Sequence, residues 1–266
     1  MRPHHEVPPD IRPNAMPPDP ADAALANHAV AVWSVRIDPP PAAAAQLEAL
    51  LTAEEIARAD RFRGEHLRRA FVASRGALRI LLGHYAGIAP RDVRLAFGPQ
   101  GKPALAPPSA IAFNLSHSGQ LAMYAFTRDC ALGIDVEHVR PVADLQAIAA
   151  RFFAPAEAAE LLELPATPQR ERAFFSCWTR KEAYVKAIGT GLSTPLDSFR
   201  VTLRPGEPPR LAAVGGDPAA LAGRRLHAFE PAAGYVAALA YRDAPRPLLV
   251  FPVRDAAELP GHDHPR

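Results

Sequence analysis

Two pairs of similar segments recur along the chain and limit the folds that are open to it. RAFVASRGALRILLG at residues 69–83 resembles RAFFSCWTRKEAYVKAIG at residues 172–189, and SGQLAMYAF at 118–126 resembles AGYVAALAY at 233–241. In each pair the second segment lies about 100 residues after the first. Coincidence in an alanine-rich chain is one explanation, and the letters alone slightly favour it. The other is a duplicated unit with a cleft between its halves, a common place for a ligand site.

The hydrophobic pattern predicts a mixture of strands and helices. A strand rich in Val, Trp and Ile begins near residue 29, and a strongly amphipathic helix covers 68–87, with leucines on one side and arginines over much of the rest. A long helix is expected over 168–188. The signals that define helix ends are the caps Thr52 and Thr167, either Gly83 or Gly87, and Gly189.

Composition excludes several classes of protein. The chain has 266 residues, 48% of them hydrophobic, which suffices for one large domain or two small ones. With 30 Lys and Arg against 28 Asp and Glu, its net charge of +2 argues against a non-specific nucleic-acid binder. Cys130 and Cys177 lack metal-ligand spacing and are expected to be buried, reduced thiols of a cytoplasmic protein.

The two ends of the chain differ from its middle. The N-terminus is rich in proline and lacks the apolar segment of a signal peptide, and no apolar run reaches membrane-spanning length. We therefore expect a disordered Pro-rich leader over 1–28, an N-terminal half over 29–131, a C-terminal half with the metal-binding motifs over 132–245, and a Pro-rich tail over 246–266.

The segment GIDVE contains two acids at alternate positions of a predicted strand. Asp135 and Glu137 therefore share one face of that strand, while Ile134 and Val136 point to the other. Two carboxylates this close repel each other unless a cation or a proton lies between them, and Mg²⁺ prefers such oxygen ligands. An isolated pair of this kind more often simply faces water.

The helix FFSCWTRKEAYVKAIG supplies a third acid. At 100° per residue, Lys181 falls inside the apolar face and Glu182 at its edge, where a charge is costly unless it is paired or bound to a metal. Lys186 lies one turn beyond Glu182, so an ordinary surface ion pair is the alternative explanation.

Two further motifs suit phosphate groups. In NLSHS, Ser116 and His117 stand at a strand end and can donate hydrogen bonds to phosphate oxygens, although each is also an ordinary turn residue. In GKP, a turn presents Lys102 beside Pro103 as a point charge. The spacings of a P-loop and of a dinucleotide-binding fingerprint are both absent from the sequence.

Taken in order, GKP, FNLSHS, GIDVE and FFSCWTRKEAYVKAIGTGLSTPLDSF make the chain resemble the Sfp-type 4′-phosphopantetheinyl transferases over roughly residues 33–241. The resemblance implies an α+β fold of two similar α/β halves related by pseudo-two-fold symmetry, with the active site in the cleft between them. It implies transfer of the 4′-phosphopantetheine arm of coenzyme A to a serine of an apo acyl or peptidyl carrier protein. Mg²⁺ is the implied cofactor, and adenosine 3′,5′-bisphosphate is the other product.

The resemblance also implies roles for single residues. It implies that Asp135, Glu137 and Glu182 hold Mg²⁺, and that Glu182 is the base for the carrier serine, directly or through a metal-bound water. Lys186 stabilises the pyrophosphate or the leaving group. The remaining implied contacts to coenzyme A come from Ser116 and His117 on phosphates, Lys102 and Pro103 along the nucleotide, and an upstream basic residue, for which Arg58 is a better match than Arg69.

Two other functions remain open at this stage. A Mg²⁺-dependent nucleotide hydrolase would turn over without a carrier protein, and an inactive scaffold that binds carrier domains would show no metal-dependent turnover. Family members with two fused halves often serve secondary metabolism, so we expect a carrier of that kind. A monomer is the simpler expectation, because the duplication puts both walls of the cleft in one chain.

Overall fold

A computed structural model describes residues 12–13, 25, 28–215 and 218–259. The helices are α1 Pro41–Glu48, α2 Ala53–Ala59, α3 Glu65–Ala86, α4 Leu145–Phe152, α5 Pro155–Glu163 and α6 Pro168–Ile188. The strands are β1 Arg12–Pro13, β2 Val30–Arg36, β3 Leu95–Phe97, β4 Pro103–Leu105, β5 Ile111–Ser118, β6 Leu121–Arg128, β7 Leu132–His138, β8 Phe199–Val201, β9 Leu211–Val214, β10 Arg224–Phe229, β11 Tyr235–Arg242 and β12 Leu248–Val250.

The helix ends follow the capping signals of the sequence. Thr52 forms a complete capping box with Glu55, and the Thr167 side chain accepts a hydrogen bond from the first turn of α6. Gly87 ends α3 and Gly189 ends α6, each in the left-handed conformation that favours glycine. Of the two glycines considered for the end of the amphipathic helix, Gly87 is therefore the correct one.

The two halves repeat one topology. In each half a strand is followed by two short helices, a long helix, a pair of short strands and two longer strands. The strand order β2-β6-β5 of the first half matches the order β7-β11-β10 of the second, and all these pairs are antiparallel. The similar segments noted in the sequence lie on matching elements, α3 with α6 and β6 with β11, so the duplication is confirmed.

The halves pack sheet against sheet, with a long helix on each outer face. One apolar cluster joins α3 to β2 and β6, and a second joins α6 to β11. A third lies between the sheets and includes Val30 and Val32 of β2, Met123 of β6 and Ile134 of β7. Because β2 is buried on both faces, it is apolar at nearly every position and does not alternate with polar residues.

The C-terminal segment returns to the first half. Strand β12 pairs in parallel with β2, and β1 extends the sheet beyond it, so part of the region expected as a tail belongs to a five-stranded sheet. Residues 260–266 lie outside the described residues, as does the expected leader 1–28 apart from residues 12–13, 25 and 28. No helix in the described part of the chain combines the length and the apolar character needed to cross a bilayer.

Candidate active site

The edge strand β5 of the first half runs beside the edge strand β7 of the second, and side chains connect them. Asn114 accepts a hydrogen bond from the backbone N–H of Ile134 (2.8 Å). Two residues further along β5, the Ser116 hydroxyl donates to Asp135 Oδ1 (2.7 Å), and two residues beyond that the Ser118 hydroxyl donates to a Glu137 carboxylate oxygen (2.7 Å). The alternation in NLSHS thus places Ser116 opposite Asp135 and Ser118 opposite Glu137.

Helix α6 closes the site from the second half because it approaches β7 closely at Gly133. A Cβ atom on this glycine would lie 2.2 Å from the carbonyl oxygen of Ala183, so no other residue permits this packing. The approach brings the Lys186 ammonium against β7, where it donates to Asp135 Oδ1 (2.6 Å), to the Ser116 hydroxyl (3.1 Å) and to the carbonyl of Ile134 (3.2 Å). Motifs from both halves therefore meet at one point.

Three carboxylates influence one another here. Burial raises the pKa of Glu182 above its usual value, and the negative charge of Asp135 and, to a smaller extent, that of Glu137 raise it further. Burial also raises the pKa of Asp135, against the opposing effect of Lys186. Glu137 is more accessible and also forms an ion pair with Arg140 (3.1 Å). Because the three negative charges repel one another, a bound cation would stabilise the cluster.

The residues suit a hard cation, although the described residues contain no group of three or more His, Cys, Asp or Glu side chains already arranged around one position. As the side chains stand, Lys186 supplies the positive charge at Asp135. The second oxygen of that carboxylate, Asp135 Oδ2, is buried without a hydrogen-bond partner among the described residues. An unpartnered buried carboxylate oxygen beside two further carboxylates is a donor set that fits Mg²⁺.

Lys102 joins the two halves. Its ammonium donates to the carbonyl of Leu132 at the start of β7 (2.9 Å) and to the carbonyl of Lys186 near the end of α6 (2.7 Å). Burial and the charge of Lys186 lower the pKa of Lys102. Pro103, its neighbour, is half-buried at the start of β4. The two residues expected along the nucleotide thus lie beside the site, with the lysine ammonium hydrogen-bonded to backbone.

His117 and Arg58 lie on the first-half side of the site and are both exposed. Desolvation by the surrounding protein lowers the pKa of His117, and the positive charge of Lys186 lowers it further. The Arg58 guanidinium lies over the Phe71 ring, 5.5 Å from its centroid. Arg69, the weaker match, instead approaches Glu65 on the solvent side of α3 (4.0 Å).

Arg75 was missed in the sequence. It is 9% exposed, its guanidinium lies 5.6 Å from the centroid of the same Phe71 ring and approaches Glu55 (3.6 Å), yet its Nη1 is buried without a partner among the described residues. Its charge also contributes to the lowered pKa of His117. The sequence predicts that arginines fill much of the helix surface away from its apolar side, and the structure shows that two of them, Arg75 and Arg79, are nevertheless buried. Both arginines lie within the mostly apolar run AFVASRGALRILL, and this is the sequence signal that could have indicated their burial.

Comparison with known proteins identifies the family of the chain. Residues 131–240 match the model of the 4′-phosphopantetheinyl transferase superfamily, and residues 37–128 match that of the 4′-phosphopantetheinyl transferase N-terminal region. The 4′-phosphopantetheinyl transferase HetI of Nostoc sp. is 41% identical over 197 residues, which cover 73% of this chain and 82% of HetI. The 4′-phosphopantetheinyl transferase psf-1 of Bacillus pumilus is 35% identical over 158 residues, covering 59% of this chain and 66% of psf-1.

Among solved structures, the holo-[acyl-carrier-protein] synthase of Thermotoga maritima is similar over 44% of this chain and 65% of its own, with 21% identity and a TM-score of 0.33. The two matched family models together span both halves of the duplicated fold. The chain belongs to the 4′-phosphopantetheinyl transferase family. The class of enzyme expected from its motifs is thereby confirmed.

Proposed function

We propose that the cleft between β5, β7 and α6 transfers the 4′-phosphopantetheine arm of coenzyme A to a serine of an apo carrier protein, with Mg²⁺ as cofactor. The observation that supports this most directly is the meeting of Ser116, Asp135 and Lys186 within hydrogen-bond distance. These residues come from three separate motifs and from both halves. A hydroxyl and an ammonium can bind phosphate oxygens, and carboxylates that hold Mg²⁺ would bring the further positive charge that neutralises a pyrophosphate.

Asp135, Glu137 and Glu182 would hold the Mg²⁺, which supplies charge neutralisation for the phosphate oxygens. Ser116 and His117 donate hydrogen bonds to phosphates of coenzyme A, with Arg58 on its nucleotide side. In the structure the Lys186 ammonium is paired with Asp135, within reach of a pyrophosphate bound at the same place. Its charge then stabilises the leaving adenosine 3′,5′-bisphosphate.

The reaction is a direct transfer between two oxygens. The serine oxygen of the carrier bonds to the β-phosphorus while the bond from that phosphorus to the bridging oxygen breaks, and the bridging oxygen leaves with the nucleotide. Glu182 accepts the serine proton, a role suited to a carboxylate with a raised pKa. Positioning and charge neutralisation suffice, so no covalent enzyme intermediate is required.

The decisive experiment measures the intact mass of a purified apo carrier protein after incubation with the enzyme, coenzyme A and Mg²⁺. We expect a gain of one phosphopantetheinyl group that is lost with EDTA. Asp135→Ala and Glu182→Ala should each abolish the gain, whereas Asp38→Ala, which removes an exposed acid, should not. Turnover close to that of the wild type in either site variant, with excess Mg²⁺, would refute the metal assignment.

Two further measurements separate this proposal from its alternatives. Lys186→Ala should lower kcat by more than it raises KM for the carrier, because the lysine acts on the leaving group. A change in KM alone would contradict that role. Consumption of coenzyme A without any carrier would indicate a hydrolase, and the absence of turnover with several carrier types would indicate a scaffold.

The setting of the enzyme is part of the proposal. We expect it to act as a cytoplasmic monomer on acyl or peptidyl carriers of secondary metabolism. Its duplicated fold supports the monomer, because both walls of the cleft come from one chain. Light scattering on the purified enzyme, and comparison of rates among carriers of different pathways, test these two points.

A further inference from the structure

A polar cavity of about 200 Å³ lies between the N-terminal part of α6, strands β10 and β11, and the loop after β8. A single water needs only roughly 10–15 Å³ by such a measure, so the cavity has room for an oxyanion with several waters. Its charged lining consists of Arg172, Arg180, Arg204 and Glu230, and the hydroxyl-bearing residues Ser176 and Thr179 also contribute to it. Its lining therefore has more positive than negative charge.

Arg180 is the unusual member of this lining. It is 7% exposed, and no carboxylate among the described residues lies within ion-pair distance of it. Arg172 is paired with Glu230, and Arg204 is paired with Glu163. A buried guanidinium without a counter-charge is costly, and burial lowers the pKa of Arg180 for this reason. Glu207 exerts an attraction on it but forms its own ion pair with Arg210.

The hydrogen bonds of Arg180 leave one side of its guanidinium available. Nη1 donates to the backbone carbonyl and to the hydroxyl of Thr202. Nε is buried without a partner, and Nη2 has no hydrogen bond to the described residues. Nη2 is not among the buried atoms, so it is the unpartnered donor of a mostly buried guanidinium that lines the polar cavity, and guanidinium donors of this kind bind phosphate and carboxylate oxygens.

The cavity is separate from the candidate active site. At 100° per residue, the side chains of Arg180 and Glu182 leave α6 about 200° apart. Ser176 and Thr179, which line the cavity, precede Lys186 by about two turns or more of the helix. Anion binding here would connect α6 to β10, β11 and the loop after β8 without contact with the transferred group.

We propose that this cavity binds a tetrahedral oxyanion of the size of inorganic phosphate or sulfate. Nη2 of Arg180 donates to one of its oxygens and the unpaired guanidinium charge attracts it, while Arg172 and Arg204, each paired with a glutamate, also line the cavity. This inference does not depend on the proposed transferase reaction, since none of these residues belongs to that site. It assigns Arg180 a role in binding and in linking elements, with no part in the chemistry.

The test is a thermal unfolding series with inorganic phosphate, sulfate and chloride at constant ionic strength. Phosphate and sulfate should raise the Tm of the wild type by about 3–6 °C once their concentration exceeds the dissociation constant tenfold, and chloride should not. Lys186→Ala serves as the control for phosphate bound in the active site and should show the same rise. In Arg180→Met the rise should disappear, while transfer activity measured in chloride remains.

Arg180→Met removes an unpaired buried charge, which favours folding, and the donor to the Thr202 carbonyl and hydroxyl, which opposes it. The readout is therefore the phosphate response of the folded variant and not its stability in chloride. Arg172→Ala, at the opening of the cavity, should weaken phosphate binding severalfold and keeps the inference testable if Arg180→Met does not fold. The proposal is overturned by an equal phosphate response in Arg180→Met, by loss of the response in Lys186→Ala, or by no response in the wild type.

Discussion

Lys181 and Glu157 form a fully buried ion pair, and replacing the lysine tests how the second half is held together. Lys181 Nζ lies 2.7 Å from a Glu157 carboxylate oxygen, and both side chains are 0% exposed. The ammonium also donates to the carbonyls of Leu196 (2.7 Å) and Phe199 (2.6 Å). Glu157 in turn accepts from two backbone N–H groups. The pair thus connects α6, α5 and the start of β8, and it explains a lysine in the apolar face of the helix.

Lys181→Met keeps the apolar length of the side chain and removes its charge. The change leaves a buried carboxylate with only its two backbone donors and removes the hydrogen bond to each of two carbonyls. Breaking a buried pair in this way costs about 3–5 kcal/mol. For a chain of this size we expect Tm to fall by about 6–20 °C.

The loss should depend on pH in a defined direction. Burial raises the pKa of Glu157, so its folded-state pKa exceeds that of the unfolded chain. The charged carboxylate therefore costs stability above the folded pKa, and the cost is relieved as the pH falls through it. Without the ammonium, which opposes the shift, the relief should be larger. The deficit of Lys181→Met relative to the wild type should shrink from about pH 8 to about pH 5.

The assay is urea unfolding of the wild type, Lys181→Met, Glu157→Gln and the double variant, each at both pH values. The double variant should recover much of the loss, because no unpaired buried charge remains. A loss below about 1 kcal/mol in Lys181→Met, the range of an exposed pair, would refute the reasoning. A deficit that grows as the pH falls would refute the assigned direction.

Three further predictions concern other parts of the fold. Gly133→Ala should destabilise the chain by about 1–3 kcal/mol or more and abolish transfer, because the added Cβ would lie 2.2 Å from the Ala183 carbonyl oxygen. Urea unfolding and the mass assay check this, and an unchanged stability would contradict it. Lys102→Met should lower stability by about 1–3 kcal/mol, because two carbonyls between the halves lose their donor. Calorimetric titration should show that Lys102→Met loses less binding free energy for coenzyme A than it loses in stability. A larger loss in binding than in stability would contradict a structural role for Lys102. Burial lowers the pKa of His227 from 6.5 to about 4, so protonating it destabilises the fold as the pH falls from about 6.5 to about 4. In urea unfolding, the free energy of unfolding of His227→Phe should therefore depend less on pH over that interval than that of the wild type.

Much of the fold follows from local patterns in the sequence. Thr52, Thr167 and Gly189 mark helix ends because capping involves only neighbouring residues, so their effect is visible without the tertiary structure. The duplication is also readable, because each copy retains similar letters in its long helix and in its last strand. The choice between duplication and coincidence needed the matching strand orders β2-β6-β5 and β7-β11-β10.

Some features of the candidate site can likewise be read from the sequence, and others depend on the tertiary structure. The alternation of Asp135 with Glu137 and the spacing of Glu182 and Lys186 are properties of single elements and can be read from the sequence. Which charge is neutralised by which partner depends on residues far apart in the chain. Only the tertiary structure pairs Lys181 with Glu157, buries Arg75 near His117, and leaves Arg180 without a counter-charge, because burial and pairing arise when separate elements pack together.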